Sequence, residues 1–237
     1  MKFSKLVKKL GSGKALLAVL IDPDKFTREV VLVANECSVD CFLVGGSKLH
    51  SGDTLKTVVA IKKMSKIPVV LFPGDETQLC AQADGLLLLS LLSGRNPDYL
   101  IEKHIRAAPL IKKMKLQHLS TAYLLIDGGR PSSTQMVTGT KPLDPSNSSY
   151  IINTAIAAEQ LGFRALYLEA GSGAANSVNP RLLKQVKMNC SLPVIVGGGI
   201  DSPGKAMKAI KAGASMVVVG NALEKDAALL RDISSCF

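Results

Sequence analysis

The chain has no tryptophan among its 237 residues, and aromatic side chains make up only 4% of it. Proteins that bind single-stranded nucleic acid stack bases on aromatic rings, so we expect no nucleic-acid partner. Histidine is almost as scarce: His50, His104 and His118 show no metal-ligand spacing, and no set of acid, histidine and nucleophile can be assembled. The sequence therefore argues against zinc chemistry and against triad-type hydrolysis.

Cysteines and long apolar runs are also few. The five cysteines are odd in number, scattered and without a CxxC pair, which argues against a disulfide framework and a structural zinc site. The longest apolar run, residues 85–92, is far too short to span a bilayer, and residues 1–14 carry lysines instead of a signal-peptide core. We therefore expect a cytoplasmic protein with reduced, mostly buried thiols.

Acidic residues are outnumbered, since 29 Lys and Arg face 19 Asp and Glu and leave a formal net charge of +10. Lysines cluster within residues 62–66, 112–115 and 205–211, each time on the polar side of a predicted helix. An outer ring of helices with solvated lysines accounts for this pattern. A transient attraction to an anionic membrane surface is compatible with it, and would matter if a substrate or product were a lipid.

The chain is rich in short apolar runs that alternate with helical patterns. Its length and 47% hydrophobic content suit one large core, so we expect a single domain over residues 1–237. Eight runs are predicted as strands: residues 15–21, 41–44, 67–72, 85–89, 122–126 and 165–168, and the openings of 192–201 and 216–221. Eight strands alternating with helices predict an α/β fold, the TIM (β/α)8 barrel.

One connection breaks the alternation. Residues 73–84, between the third and fourth strands, are too few for a full crossover helix with its loops, so the third helix should be shortened or missing. The resulting side cleft, toward Leu71, Phe72, Leu79 and Leu86, would suit a long hydrophobic ligand. A harmless short connection filled by its own side chains is the alternative.

Later in the chain we expect helices over residues 97–113 and 222–231, and a polar, irregular stretch over residues 127–149.

Glycine-rich loops follow the last two predicted strands. Gly198, Gly199, Gly220 and Asn221 stand where strands seven and eight open into helices, which is the usual phosphate seat of such barrels. Either loop alone is equally well explained as a tight turn. Two in tandem favour phosphate binding.

Polar residues stand at three other strand ends. Asp22 and Ser47 supply hard oxygen ligands that suit Mg²⁺ completed by substrate phosphates, although an Asp-Pro-Asp turn is more often a helix cap. Glu169 should point toward the barrel mouth as a general base, or else only hold the neighbouring glycine loop.

Taken together, Leu20-Ile-Asp-Pro-Asp24, Val44-Gly-Gly-Ser47, Tyr167-Leu-Glu-Ala-Gly-Ser-Gly173, Val196-Gly-Gly-Gly-Ile200 and Val219-Gly-Asn221 resemble the geranylgeranylglyceryl phosphate synthase family. Their order and spacing match over nearly the whole chain. The resemblance implies a Mg²⁺-dependent prenyltransferase. Such an enzyme joins a polyprenyl diphosphate, here geranylgeranyl diphosphate, to the 3-hydroxyl of sn-glycerol-1-phosphate by an ether bond and releases diphosphate.

The resemblance also implies residue roles. Asp22 and Ser47 would hold the metal, and Glu169 would take the hydroxyl proton. The glycerol phosphate would be held by Tyr167, Leu168, Glu169, Ala170, Gly171, Ser172, Gly173, Gly198, Gly199, Gly220 and Asn221.

Two departures are typical of the second subgroup of the family, which includes bacterial, heptaprenylglyceryl phosphate synthase-like relatives. Leu20 stands where some members carry lysine, and Ala170 is accompanied by one extra residue in the glycine loop. Barrels of this type with apolar outer helices often associate, so we expect a homo-oligomer. The prenyl length depends on the depth of the side groove.

Two other functions fit the bare pattern of residues. A different phosphosugar barrel, such as an isomerase or aldolase, would share only the phosphate seat. A non-catalytic phosphate-sensing or RNA-binding barrel would explain the lysine excess, with an affinity for RNA that falls steeply as salt rises.

Overall fold

A computed structural model describes residues 2–237. Eight parallel strands form a closed barrel in which each strand pairs with the next and the last pairs with the first. This confirms the predicted TIM barrel. The strands are β1 (Leu16–Ile21), β2 (Cys41–Val44), β3 (Val69–Leu71), β4 (Gly85–Leu91), β5 (His118–Leu125), β6 (Ala165–Glu169), β7 (Val194–Gly197) and β8 (Met216–Val219).

The strands are apolar along their whole length because both of their faces are buried. Side chains alternate along each strand, so Tyr167 of β6 points into the barrel, whereas its neighbours Leu166 and Leu168 point toward the surrounding helices. Two hydrophobic layers result, one inside the barrel and one between the barrel and the helices.

Helices surround the barrel and carry the chain back from the end of one strand to the start of the next. Side-chain caps fix several of their starts: Asp53, Asn147 and Ser202 each accept a hydrogen bond from an amide in the first turn. The helices are α1 (Lys2–Leu10), α2 (Arg28–Glu36), α3 (Thr54–Met64), α4 (Lys103–Met114), α5 (Ser133–Thr138), α6 (Ser148–Gln160), α7 (Pro180–Asn189), α8 (Pro203–Lys211), α9 (Asn221–Lys225) and α10 (Leu229–Ser234).

The connection between β3 and β4 contains only a 3-10 turn, Glu76–Gln78. The prediction that the crossover helix after the third strand is missing is therefore confirmed. β3 itself spans three residues, fewer than the predicted 67–72, and its register with β4 joins only Val70 to Gly85 and Leu71 to Leu86.

Four further stretches differ from the sequence prediction. Strand β5 begins at His118, four residues before the predicted start of 122–126. The polar stretch 127–149 contains the short helix α5. The helix predicted over 97–113 begins with a π-helical turn, Asp98–Glu102, before α4. The helix predicted over 222–231 is broken into α9 and α10, because the Asp226 side chain turns back to accept a hydrogen bond from the Ala228 amide.

Helix α1 covers the floor of the barrel, where the N-terminal ends of the strands lie. Phe3, Leu6 and Leu10 are buried against the inner hydrophobic layer. A Cβ on Gly85, at the start of β4, would lie 2.3 Å from the Phe3 ring, so the ring needs glycine there. Lys9 pairs with Asp40, just before β2, at 3.2 Å. We call this end of the barrel, with α1 across it, the basal face.

Two further expectations concern the thiols and membrane insertion. The five cysteines are free, three of them buried and two half-buried. Within residues 2–237, none of the helices combines the length and the apolar character that crossing a bilayer needs.

Candidate active site

A cavity of about 1020 Å³ occupies the mouth of the barrel, at the C-terminal ends of the strands. Loops from both sides of the barrel line it, so residues far apart in sequence face one another. Asp22 and Ser47, after β1 and β2, line the same cavity as Glu169, Gly198 and Asn221, at the ends of β6, β7 and β8. The juxtaposition predicted from the strand ends is therefore present.

Asp22 and Ser47 follow β1 and β2 and occupy neighbouring positions on the cavity wall. Asp22 caps the 3-10 turn after β1, because its Oδ1 accepts a hydrogen bond from the Asp24 amide at 3.0 Å. A Cβ on Gly46 would lie only 3.6 Å from the Asp22 carboxylate, which places the Ser47 loop directly beside that group. The Ser47 hydroxyl lies 3.1 Å from Thr134 Oγ1.

Asp24 has a structural task at the same corner. Its carboxylate accepts hydrogen bonds from the amides of His50, Ser51 and Gly52, and these bonds lower its pKa to about 2. The group remains ionised at neutral pH and clamps the loop after β2 onto the loop after β1.

The glycine loops after β6 and β7 pack closely against each other. Gly198 and Gly199 have φ of +81° and +66°, the left-handed region that favours glycine. A Cβ on Gly198 would also lie 2.4 Å from Glu169 Oε1, and one on Gly199 would lie 3.0 Å from the Asn176 backbone. The loop after β6 is tied in turn to the loop after β8, since the Ser172 hydroxyl donates to Asn221 Oδ1 at 2.7 Å.

Only some residues of the segment 167–173 line the cavity, with side chain or backbone. Tyr167, Glu169, Ser172 and Gly173 line it. Leu168 and Ala170 are buried in the layer between the barrel and the helices. The Gly171 amide is already bonded to Glu169 Oε1 at 2.7 Å. Leu168, Ala170 and Gly171 therefore shape this wall without lining it.

Glu169 is the carboxylate most strongly perturbed by its surroundings. It is 6% exposed, and burial raises its pKa from 4.5 to about 7, against the opposing effects of the Gly171 amide and the nearby Tyr167 hydroxyl. That hydroxyl is itself buried and makes no hydrogen bond of good geometry within the described residues. A carboxyl group poised between its two forms near neutral pH can accept a proton from a bound hydroxyl.

A side groove of about 110 Å³ opens from the cavity at the connection between β3 and β4, where the crossover helix is missing. Phe72, Leu79 and Leu86 line it as expected, whereas Leu71 is fully buried and does not. Ala107 and Ile111 of α4 form the opposite wall. Five residues line both the groove and the cavity, so the two are continuous: Gly46, Ser47, Phe72, Tyr123 and Thr134.

The sequence did not reveal some residues that line the cavity and the side groove. Thr134 on α5 contacts Ser47, but its stretch carries no apolar period and is rich in the residues of loops. His104, to which the sequence assigned no role, lies half-buried in the groove wall with Nε2 3.2 Å from Ser90 Oγ. Burial lowers its pKa. Its helical spacing from Ala107 and Ile111, the buried residues of α4, was the signal in the sequence that could have placed it on the inner side of this helix.

The comparison with known protein families agrees with this geometry, because residues 14–236 match the PcrB family. The chain belongs to the PcrB family. Relatives named geranylgeranylglyceryl phosphate synthase include one from Zunongwangia profunda, 45% identical over 92% of this chain and 95% of its own length. Another, from Korarchaeum cryptofilum, is 37% identical over 90% of this chain and 88% of its own length.

A solved structure extends the match to three dimensions. The (S)-3-O-geranylgeranylglyceryl phosphate synthase of Thermoplasma acidophilum, crystallised with its substrate sn-glycerol-1-phosphate, is 29% identical to this chain. It superposes with a TM-score of 0.88 over 98% of this chain and 96% of that one. This member of the PcrB family is accordingly a prenyltransferase of lipid biosynthesis.

Proposed function

We propose that the chain forms an ether bond between the 3-hydroxyl of sn-glycerol-1-phosphate and the first carbon of a polyprenyl diphosphate, with release of diphosphate. One observation carries the proposal: a cavity with a glycine-lined wall, a buried carboxylate and an Asp/Ser pair continues into an apolar groove. Neither a phosphosugar isomerase nor a phosphate sensor has use for that groove. The substrate of the Thermoplasma acidophilum relative and the names of the other relatives support the same reaction.

Glycerol phosphate fits the side of the cavity formed by the loops after β6, β7 and β8. Gly198, Gly199 and Gly220 present backbone without side chains, which lets amides approach a phosphate closely. With the phosphate there, the 3-hydroxyl lies toward Glu169, deeper in the barrel. Tyr167 and Ser172 complete this side of the pocket.

Mg²⁺ fits the donor set that follows β1 and β2. Among residues 2–237, no three His, Cys, Asp or Glu side chains converge on a metal position, so Asp22 offers one carboxylate and Ser47 one hydroxyl. Mg²⁺ commonly takes few protein ligands and completes its shell with water and substrate phosphates. When bound, the ion would offset the negative charge that develops on the departing diphosphate.

The bond changes then follow from the placement of the groups. The bond between the prenyl carbon and the diphosphate oxygen breaks, the 3-hydroxyl oxygen bonds to that carbon, and its proton passes to Glu169. The apolar tail occupies the side groove, and the rings of Phe72 and Tyr123, 6.2 Å apart, stand where groove and cavity meet. Their π-faces favour positive charge on the allylic carbon. Alignment of the two substrates supplies much of the rate enhancement.

An extraction assay tests the proposal. The protein is incubated with Mg²⁺, labelled sn-glycerol-1-phosphate and unlabelled prenyl diphosphates of increasing length, and label is measured in the organic phase. We expect labelled ether lipid, its loss on chelation of Mg²⁺, and a fall of about 100-fold in kcat for Asp22→Asn. Asp232→Asn, which changes an exposed carboxylate of α10, should leave turnover intact. Absence of ether lipid with every prenyl length would overturn the proposal.

Assembly and location are part of the same proposal. We expect the protein to act in the cytoplasm. We also expect a homo-oligomer, because Ile101, just before α4, and Ile105, in its first turn, are more than half exposed on the outer surface. Sedimentation equilibrium checks this, and a single monomeric species at micromolar concentration would contradict it.

A further inference from the structure

The lysine excess of the chain concentrates on the basal face. Because barrel helices run opposite to the strands, their C-terminal turns lie at the same end as α1. Those turns carry Lys62 and Lys63 on α3, Lys112 and Lys113 on α4, and Lys208 and Lys211 on α8. Helix α1 adds Lys2, Lys5, Lys8 and Lys9.

Most of these cations have no acidic partner in the part of the chain that the structure describes. Within residues 2–237, Lys9 pairs with Asp40 and Lys62 pairs with Asp84, at 3.2 Å and 2.9 Å. Lys63, Lys112 and Lys113 are exposed and form no ion pair with the described part of the chain. The basal face therefore presents unneutralised positive charge.

Large apolar side chains are exposed at the same end of the barrel. Leu161 follows the last turn of α6 and is 71% exposed, and Met188 in the last turn of α7 is 75% exposed. Exposed apolar residues among lysines are the combination with which peripheral proteins enter the boundary between lipid headgroups and acyl chains. Solvation alone requires lysines but no exposed leucine or methionine.

The side groove runs from the mouth of the barrel toward this face. Phe72 marks its upper end, beside the cavity, whereas Leu86 is the second residue of β4 and Ile111 lies near the C-terminal end of α4. The distal end of the groove is therefore flanked by Lys63 on α3 and by Lys112 and Lys113 on α4.

We propose that the basal face docks on an anionic lipid bilayer, with the distal end of the groove at the headgroup boundary and the mouth facing water. Taking the groove as the prenyl seat rests on the proposed function. In this orientation a prenyl tail reaches the groove from the membrane side, and the water-soluble phosphate substrate reaches the mouth from the opposite side. Nucleic acid suits the face less well, because Phe3, the aromatic residue of α1, is buried.

Vesicle sedimentation tests the electrostatic part. Wild-type protein should sediment with vesicles of equal parts phosphatidylglycerol and phosphatidylcholine, and half a molar salt should release it. The variant K63E/K112E/K113E should bind at least tenfold more weakly. The control R28E/K141E/R181E carries the same change in net charge on exposed residues toward the mouth end, and should bind within threefold of wild type.

A tryptophan reporter tests the orientation, and is clean because the chain has no tryptophan of its own. Met188→Trp should shift its emission to the blue on these vesicles and be quenched by brominated lipid. Leu55→Trp, an exposed position in the first turn of α3, should do neither.

Equal weakening by the two triple variants, or equal quenching of the two reporters, would overturn the proposal. Tighter binding to poly(U) than to vesicles, lost in K63E/K112E/K113E, would assign the face to nucleic acid instead. Neither measurement involves turnover, so a failure here is distinct from a failure of the proposed function.

Discussion

Among single residues, Glu169 shows best how position decides chemistry. It ends β6 as the third of three alternating side chains, so it points inward. Its burial there raises the pKa of the carboxyl group. The sequence could place it at a strand end beside a glycine loop. It could not show the raised pKa, because that depends on how much water the surrounding loops exclude.

The pH dependence of catalysis follows from this group. Since the pKa of Glu169 is raised to about 7, we expect kcat/KM of the wild type to rise with pH through a midpoint near 7. Steady-state rates between pH 5 and 9 measure this. Glu169→Gln should lower kcat by about 100-fold or more and abolish the pH-dependent rise. A wild-type midpoint near 4.5 would contradict the assignment.

The same substitution should stabilise the protein above neutral pH. Because the pKa of Glu169 is raised in the folded state, folding disfavours its ionisation. The free energy of unfolding of the wild type therefore falls as pH rises from 4.5 to about 7. Glu169→Gln removes this penalty and should gain up to roughly 3 kcal/mol at pH 8, with little gain at pH 4. Urea unfolding at the two pH values measures the difference. Glu29→Gln, which changes an exposed glutamate of α2, serves as the control. It should leave the free energy of unfolding unchanged at both pH values.

Gly198 and Gly204 form a matched pair for testing the glycine loop. Gly198→Ala should destabilise the protein by about 1–2 kcal/mol or more and weaken phosphate binding, because φ is +81° and the Cβ would meet Glu169. Gly204 lies in α8 with open space around it, so Gly204→Ala should be stabilising by about 0.5–1 kcal/mol. Thermal unfolding and phosphate titration distinguish the two, and equal effects would show that the loop tolerates a side chain.

Among the elements, the short connection between β3 and β4 leaves the side groove open. Its shortness could be read directly from the sequence, because the number of residues limits what can form. Helix α5 could not be found in this way, since Ser132 caps six residues of which only Thr138 is buried. A helix that buries so little leaves no apolar period to detect.

The groove that this connection leaves open should tolerate no bulk at Ala107. Ala107→Phe places a ring in a space of about 110 Å³, so turnover of long prenyl diphosphates should fall at least tenfold relative to short ones. Ala108→Phe, on the exposed side of the same helix, should leave the ratio unchanged. Competition between two prenyl lengths in one reaction measures it. Parallel loss for both lengths would indicate unfolding instead, which the melting temperature checks.

At the scale of the whole molecule, barrel closure and the covered floor belong together. Eight apolar runs predicted the barrel, because strands buried on both faces have to be apolar throughout. The lysines of residues 1–14 were also visible in the sequence, but the place where the apolar side of α1 packs was not. Only the closed barrel creates the opening that Phe3 fills, and that opening depends on Gly85 in a distant part of the chain.

Loss of the Phe3 ring should therefore weaken the whole barrel. Phe3 is 3% exposed, and Phe3→Ala should cost about 3–5 kcal/mol in the free energy of unfolding. Lys5→Ala, on the exposed side of α1, should cost less than about 0.5 kcal/mol. Chemical denaturation measures both, and a cost below about 1 kcal/mol for Phe3→Ala would mean that α1 is dispensable.

Helix α1 closes the basal end of the barrel interior. Tyr167 is fully buried beneath Glu169, and the inner hydrophobic layer continues from it down to Phe3. Because this closed end is lined mainly by apolar side chains, a proton captured by the carboxylate returns to water most directly through the mouth. On the proposed function, Glu169 is a neutral acid after each turnover, and we expect it to regain its charge only when product leaves the mouth and water enters.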